Sequence, residues 1–167
     1  MRRMLGTPAA ILVAMLVIAP PAAAAEQTRE SYKERVEPIC EANRTVNARI
    51  MSGVRQRINR DNFAPAGKQF IRVSASFGKL IKRLAPVPAP VGDERRVARW
   101  LKFMRLIKVR LQTVGKYYKQ GADIKAAHES ILAERSGISA NNISIVFKVR
   151  NCRFGRFDAG QSGRAAY

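Results

Sequence analysis

Apolar residues recur at spacings of three, four and seven along most of this chain, a pattern typical of helices that bury one face. Turn-forming residues at 61–67, a proline-rich stretch at 85–92 and Gly121 divide this pattern. The segments so defined cover about residues 28–59, 65–84, 94–119 and 123–147. Because short connections join amphipathic helices, the sequence predicts an all-α fold, an up-down-up-down four-helix bundle.

The third segment carries the strongest amphipathic pattern. Its apolar stripe consists of Val97, Leu101, Met104, Ile107, Leu111, Val114 and Tyr118. Trp100 flanks this stripe, so we expect it in the core rather than stacked on a base or a sugar. The opposite side, which includes the apolar Leu106 and Val109, must face solvent or a partner. Its basic residues, here called the basic arc, are Arg95, Arg99, Lys102, Arg105 and Lys108.

The first segment has a proline within its apolar stripe. Pro38 either kinks one helix or opens a long helix after a short one has ended. Thr28 or Ser31 is expected at the N-cap, where Ser31 and Glu34 have the spacing of a capping box. Gly53 is a weak point in the helix interior. The residues expected on the buried face are Tyr32, Val36, Ile39, Val46, Ile50, Val54 and Ile58.

The fourth segment has the least regular pattern. Asp123 is expected to cap it, as Asp93 caps the third segment, and Ser136-Gly137 could split it. The β-branched residues 143–149 favour a strand locally, but a lone strand has no partner, so we expect a helix that frays before Cys152. The apolar positions expected in the core include Ile124, Ala127, Ile131, Leu132, Ile138, Ile143 and Val146.

The first 25 residues have the layout of a secretory signal. Two arginines precede an apolar run, and a small-residue stretch ending at Ala25 offers a cleavage site. The sequence therefore predicts three regions: a signal peptide at 1–25, a helical bundle domain at 26–154, and a disordered basic tail at 155–167. A secreted or extracytoplasmic protein follows from cleavage, and an N-terminal membrane anchor follows if the segment is retained.

The chain has two cysteines, Cys40 and Cys152. Thiols oxidise outside the cytoplasm, so an even number of cysteines suggests pairing. An up-down-up-down bundle brings the start of the first helix and the end of the fourth to the same end, which favours an intramolecular disulfide. Two buried free thiols and an intermolecular bridge are the alternatives. Two cysteines alone do not make a zinc site, because structural zinc needs four ligands.

The chain has thirty-one basic and twelve acidic residues, which give it a formal net charge of +19. Such a charge makes an anionic partner plausible, and an arginine-rich solvated surface is the competing interpretation. The predicted export favours phospholipid headgroups or an anionic wall polymer over nucleic acid. The sequence leaves the oligomeric state open.

Five short motifs between about Tyr32 and Phe154 act together as a signature. They are Glu37-Pro38-Ile39-Cys40-Glu41-Ala42-Asn43, the helix of Phe70, Val87-Pro88-x-Pro90, Ala98-Arg99-Trp100-Leu101, and Ala140-Asn141-Asn142 followed by Asn151-Cys152-Arg153-Phe154. In this combination the chain resembles a family of uncharacterised secreted small helical proteins of high-GC actinobacteria. The resemblance implies export and a small helical domain, and it implies no activity and no functional residue.

Residues suited to catalysis do not form a recognisable motif. His128 is the single histidine, and no nucleophile elbow or glycine-rich oxyanion turn accompanies it. The repeated glutamates Glu30, Glu34, Glu37 and Glu41 have basic neighbours, which predicts an ion-paired solvated face. We therefore expect no catalytic residue, no metal and no cofactor.

Three functions remain for the sequence. The leading one is a non-enzymatic binding or structural protein of the cell envelope, of unassigned role. The alternative is an anion-binding module that uses the basic arc, with Lys79, Lys82 and Arg83 extending the positive field. A hydrolase comes last, because no group of residues supports it.

Overall fold

The computed structural model describes residues 27–155, and the predicted signal peptide and nearly all of the predicted tail lie outside them. The described part contains helices and no strand. The helices are α1 (Arg29–Met51), α2 (Val54–Asn59), α3 (Phe63–Leu84), α4 (Glu94–Lys119) and α5 (Asp123–Val146). Four of these helices are long, so the predicted all-α four-helix bundle is confirmed, with α2 as a short addition.

The first predicted helix is two helices. Thr28 is the N-cap of α1, and its hydroxyl forms the capping box with Ser31, so the predicted box of Ser31 with Glu34 is wrong. Pro38 lies inside α1 without ending it. The break comes at Gly53, whose φ of +70° is a conformation that glycine adopts at little cost.

Helix α1 packs on α3, and its buried residues lie between Tyr32 and Cys40. Tyr32, Val36 and Cys40 are buried, and Asn43 Nδ2 donates a hydrogen bond to Ser76 Oγ at 2.8 Å. Val46 is exposed, so its predicted place in the core is wrong. Ile39 and Ile50, which the sequence also placed on this face, are partly buried against the core.

Helix α4 is the central element and packs against both α3 and α5. Its whole predicted stripe is buried, and Trp100 is fully buried with it, as the sequence predicted. The helix ends at Lys119. Gly121 lies just beyond it, and its φ of +70° lets the N–H groups of Gly121 and Ala122 reach the carbonyls of Tyr118 and Tyr117.

Helices α3 and α4 approach closely at two glycines. A Cβ atom placed on Gly67 would lie 2.5 Å from the Gly115 carbonyl oxygen, and one placed on Gly115 would lie 2.7 Å from that of Gly67. Gly67 is therefore a helix-contact residue, and its assignment to a turn at 61–67 is wrong because α3 already begins at Phe63.

Helix α5 is continuous, so Gly137 does not split it. Its buried face differs from the predicted one and consists of Ala126, Ala133, Gly137, Ala140, Ile143 and Ser144. Five residues predicted in the core are exposed: Ile124, Ala127, Ile131, Ile138 and Val146. Apart from Ile143 this face consists of small residues, which let α5 pack closely against the bundle.

The segment after α5 closes the fold. Cys152 is bonded to Cys40, with their Cα atoms 5.0 Å apart, so the predicted pairing and the shared end of the bundle are confirmed. Glu37 Oε1 accepts hydrogen bonds from the backbone N–H groups of Arg150 and Asn151 at 3.1 and 3.0 Å. Glu37 is therefore a structural residue rather than part of a solvated face.

Asn141 holds the same segment against α5. Its side-chain amide donates to the Phe154 carbonyl at 2.7 Å and accepts from the Phe154 N–H at 2.7 Å. The Phe154 ring stacks on that of Phe77, with centroids 5.1 Å apart. Residues 147–154 thus connect the end of α5 to α1 and α3.

Asp93 lies at the start of α4 but does not cap it with its side chain, contrary to the prediction. Its buried carboxylate instead accepts two hydrogen bonds from Arg29, at 2.5 and 3.1 Å, and contacts the Arg96 guanidinium. The hydrogen bond from Arg29 and the charges of both arginines hold the pKa of Asp93 below its ordinary value. The α1–α4 contact therefore depends on an ionised carboxylate.

We expect Asp93→Asn to lower the free energy of unfolding at pH 7 by at least about 1 kcal/mol, the upper end for an exposed ion pair, because Asp93 is buried. A carboxyl with a depressed pKa contributes stability above its unfolded pKa of about 3.9 and loses that contribution as pH falls through the folded pKa. The gap between parent and variant should narrow below about pH 4. Urea unfolding from pH 3 to 7 measures this. The prediction is contradicted if the stability difference between parent and Asp93→Asn does not change with pH. It is also contradicted if the control Glu41→Gln shows the same dependence on pH.

Candidate anion-binding surface

The side of α4 that faces away from the bundle carries the basic arc. Arg95, Arg99, Lys102 and Arg105 are exposed, whereas Lys108 is half-buried on the flank toward α3. Leu106 and Val109 are exposed among them, as the sequence pattern predicted. The burial of the α4 stripe fixes this orientation, because the apolar residues occupy the other side of the same helix.

Charge on this surface is not neutralised by neighbours. No residue of the basic arc forms an ion pair with another residue in 27–155. The basic residues of α4 that are paired lie on its flanks: Arg96 contacts Asp93, and Arg110 Nη1 lies 2.8 Å from Glu129 Oε2. The outer face of α4 therefore keeps its positive charges available to an external anion.

Lys108 leaves the arc and lies across α3. Its side chain passes over Gly78, where a Cβ would lie 3.4 Å from Lys108 Cε and 3.9 Å from its Nζ, in ordinary van der Waals contact. Ser74 Oγ donates a hydrogen bond to the Lys108 carbonyl at 2.9 Å and fixes the two helices at this level. The Lys108 ammonium is thus placed over the seam between α3 and α4.

A groove of about 350 Å³ follows this seam, with Lys79, Lys82 and Lys108 around it. The rest of its lining is small or uncharged: Ile71, Ser74, Ala75, Gly78 and Gln112. Three ammonium groups around small residues form a surface on which phosphate oxygens can find several donors. The structure thus brings together two lysines of the second predicted helix and one of the third.

A second basic groove had no counterpart in the sequence analysis. It has a volume of about 540 Å³ and lies where α1, α2 and α3 meet. Gln69 builds it by donating to the carbonyls of Ile50 and Ser52, at 2.6 and 2.9 Å. The basic residues that line it are Arg49, Arg57, Lys68 and Arg72. The i, i+4 spacing of Lys68 and Arg72 indicates in sequence that these two residues share a helix face. The sequence does not show that the break at Gly53 brings Arg57 to the same groove.

The residues considered for catalysis do not converge. His128 is exposed on α5, and Glu30 forms an ion pair with Lys33 at 2.8 Å. Within residues 27–155, no group of three or more His, Cys, Asp or Glu side chains could hold a metal ion. In the same range, no helix is long and apolar enough to cross a membrane.

Comparison with other proteins assigns neither a family nor an activity. No protein-family model, curated protein or solved structure matches the chain significantly. The resemblance to secreted actinobacterial proteins therefore stays a prediction. The Cys40–Cys152 disulfide is compatible with a location outside the cytoplasm, where such bonds persist.

Proposed function

We propose that this chain is an exported, non-enzymatic protein of the cell envelope that binds phosphate-bearing anionic surfaces through its basic arc. Phospholipid headgroups and phosphate-containing wall polymers share the chemistry that this surface suits. The observation that carries the proposal is the row of basic residues on the outer face of α4, which form no ion pair within residues 27–155.

The groove with Lys79, Lys82 and Lys108 around it, here called the lysine groove, extends this surface onto α3. Lys79 and Lys82 are exposed, and they share the groove with Lys108 at one end of the arc. Binding would begin with long-range attraction between this strongly basic chain and an anionic surface. The arginines of the arc would then donate hydrogen bonds to phosphate oxygens, since guanidinium matches phosphate geometry. Leu106 and Val109 would add apolar contact to a headgroup layer.

The signal-like segment at 1–25 supports export, and the disulfide is consistent with it. An enzymatic function has no comparable support. The one histidine, His128, is exposed on α5, whereas the groove lysines lie on α3 and α4.

The triple variant Arg99→Gln/Lys102→Gln/Arg105→Gln tests the proposal. Each basic residue near an anionic membrane contributes about 1 kcal/mol, so we expect about a hundredfold weaker retention on vesicles that contain anionic phospholipid. Retention of the parent should itself fall steeply as salt rises, because the attraction is screened. Co-sedimentation across a salt series measures both, and a parallel series with isolated wall polymer identifies the source of the phosphate.

The matched control is Arg35→Gln/Arg44→Gln/Arg55→Gln. These three residues are exposed on α1 and α2, and their replacement removes the same net charge. The control should keep most of the parent's retention, since its charges lie off the arc. Equal losses in the two triple variants would mean that net charge alone drives binding, and no binding by the parent at low salt would refute the proposal.

A further inference from the structure

The outer face of α5 carries isoleucines at regular intervals. Ile124, Ile131, Ile138 and Ile145 are seven residues apart, and they are 80, 51, 54 and 53% exposed. Seven residues are close to two helical turns, so the four side chains form one stripe about 32 Å long. The small buried residues of α5 lie on the opposite side. Exposed large apolar side chains that recur along one line of a helix mark a candidate contact surface.

We propose that this stripe is the surface through which two copies of the chain associate, with their α5 helices antiparallel about a two-fold axis. In this register Ile124 lies opposite the partner's Ile145, and Ile131 lies opposite the partner's Ile138. Both pairings follow from one axis that passes between residues 134 and 135. The stripe is therefore self-complementary, as a two-fold interface requires.

The charges at the centre of the stripe specify the same register. The axis places Glu134 opposite the partner's Arg135, and Arg135 opposite the partner's Glu134, so two complementary pairs flank it. A parallel arrangement would instead place each of these residues opposite its own copy, and like charges that face one another are unfavourable. Charge complementarity thus favours the antiparallel dimer.

The distribution of charge over the bundle points to the same face. Helix α4 has nine basic residues and one acidic residue, and α3 has five basic residues and no acidic one. Helix α5 has three acidic and two basic residues, so two copies repel one another least when they approach through it. The acidic Glu134 within the stripe also favours a second copy over an anionic membrane as its occupant.

Sedimentation equilibrium of the oxidised protein, from about 1 μM to about 1 mM, tests the dimer. We expect reversible monomer–dimer exchange. Ile131→Ser/Ile138→Ser should raise the dimer Kd at least about tenfold, because both central contacts are lost. Leu106→Ser/Val109→Ser, which replaces two exposed apolar residues of α4, should leave it unchanged. Circular dichroism checks that the variants stay folded.

The charged pair supplies a test of the register. Glu134→Arg and Arg135→Glu should each dimerise at least about tenfold more weakly, because each places like charges across the axis. An equimolar mixture of the two variants should associate as the parent does, because one copy then offers two cations and the other two anions. A parent that stays monomeric, isoleucine variants that dimerise normally, or a mixture that fails to associate would each overturn the proposal. Retention of the parent on neutral vesicles that the isoleucine variants lose would identify a membrane as the occupant instead and overturn it as well.

Discussion

Cys40→Ala/Cys152→Ala should lower the free energy of unfolding by about 4–5 kcal/mol, because the bridge closes a loop of about a hundred residues in the unfolded chain. The two cysteines are 112 positions apart and their side chains are buried. A domain of this size has a total stability of about 5–15 kcal/mol, so the variant should be close to unfolding at 37 °C. Urea denaturation of parent and variant at equal protein concentration measures the difference.

A matched variant separates the covalent bond from the contacts around it. Glu37→Gln weakens the hydrogen bonds to the Arg150 and Asn151 N–H groups and keeps the disulfide. We expect it to lose about 1.5 kcal/mol, the low end of the range for hydrogen bonds to a charged group, because the glutamine oxygen still accepts. A double alanine variant that loses no more than Glu37→Gln would show that the bridge contributes little beyond local docking.

The sequence was sufficient to predict which residues are buried where one helix face is apolar and the other charged. All seven stripe residues of α4 are buried, and Trp100 is in the core, since the two faces differ clearly in polarity. The disulfide could also be predicted, because helix count and topology together place Cys40 near Cys152. Four segments joined by short connections leave few other ways to bury their apolar faces.

Helix α5 shows where that reasoning fails. Periodicity assigns isoleucines to the core and does not distinguish alanine and glycine as an alternative face, although small residues allow closer helix packing. Which face of α5 is buried depends on the distance between α4 and α5, and the sequence of α5 alone does not give that distance. Two faces of one helix thus both had apolar residues, and the larger residues were on the outer one.

The candidate site was likewise only half visible. The basic arc lies on one helix, so its periodicity predicts it directly. The lysine groove needs Lys82 and Lys108 to meet across two helices, and that depends on how α3 packs on α4, where Ser74 donates a hydrogen bond to the Lys108 carbonyl. From sequence, a glycine within a helix is only a weak point, because the sequence does not show which neighbouring element packs against it.

Gly67→Ala should lower the free energy of unfolding by about 2 kcal/mol, equivalent to about 8 °C in Tm. Its Cβ would lie 2.5 Å from the Gly115 carbonyl oxygen and 2.9 Å from the Lys119 backbone nitrogen. Both are backbone atoms of α4, so relief requires the two helices to move apart along their buried stripes. Overpacking of this kind costs about 1–3 kcal/mol, and the better helix propensity of alanine offsets at most about 1 kcal/mol.

Gly78→Ala, the same substitution three turns along α3, is the control. Its Cβ would first meet Lys108 Cε at 3.4 Å, the far end of a flexible side chain that can move aside. Only the helix-propensity term then remains, so we expect a gain of about 0.5–1 kcal/mol. Thermal unfolding should therefore show Tm changes of opposite sign for the two variants. A Gly67→Ala protein as stable as the parent would mean that α3 and α4 do not approach through Gly67 and Gly115, whereas a loss in both variants would mean that alanine is unfavourable in α3 for reasons other than this contact.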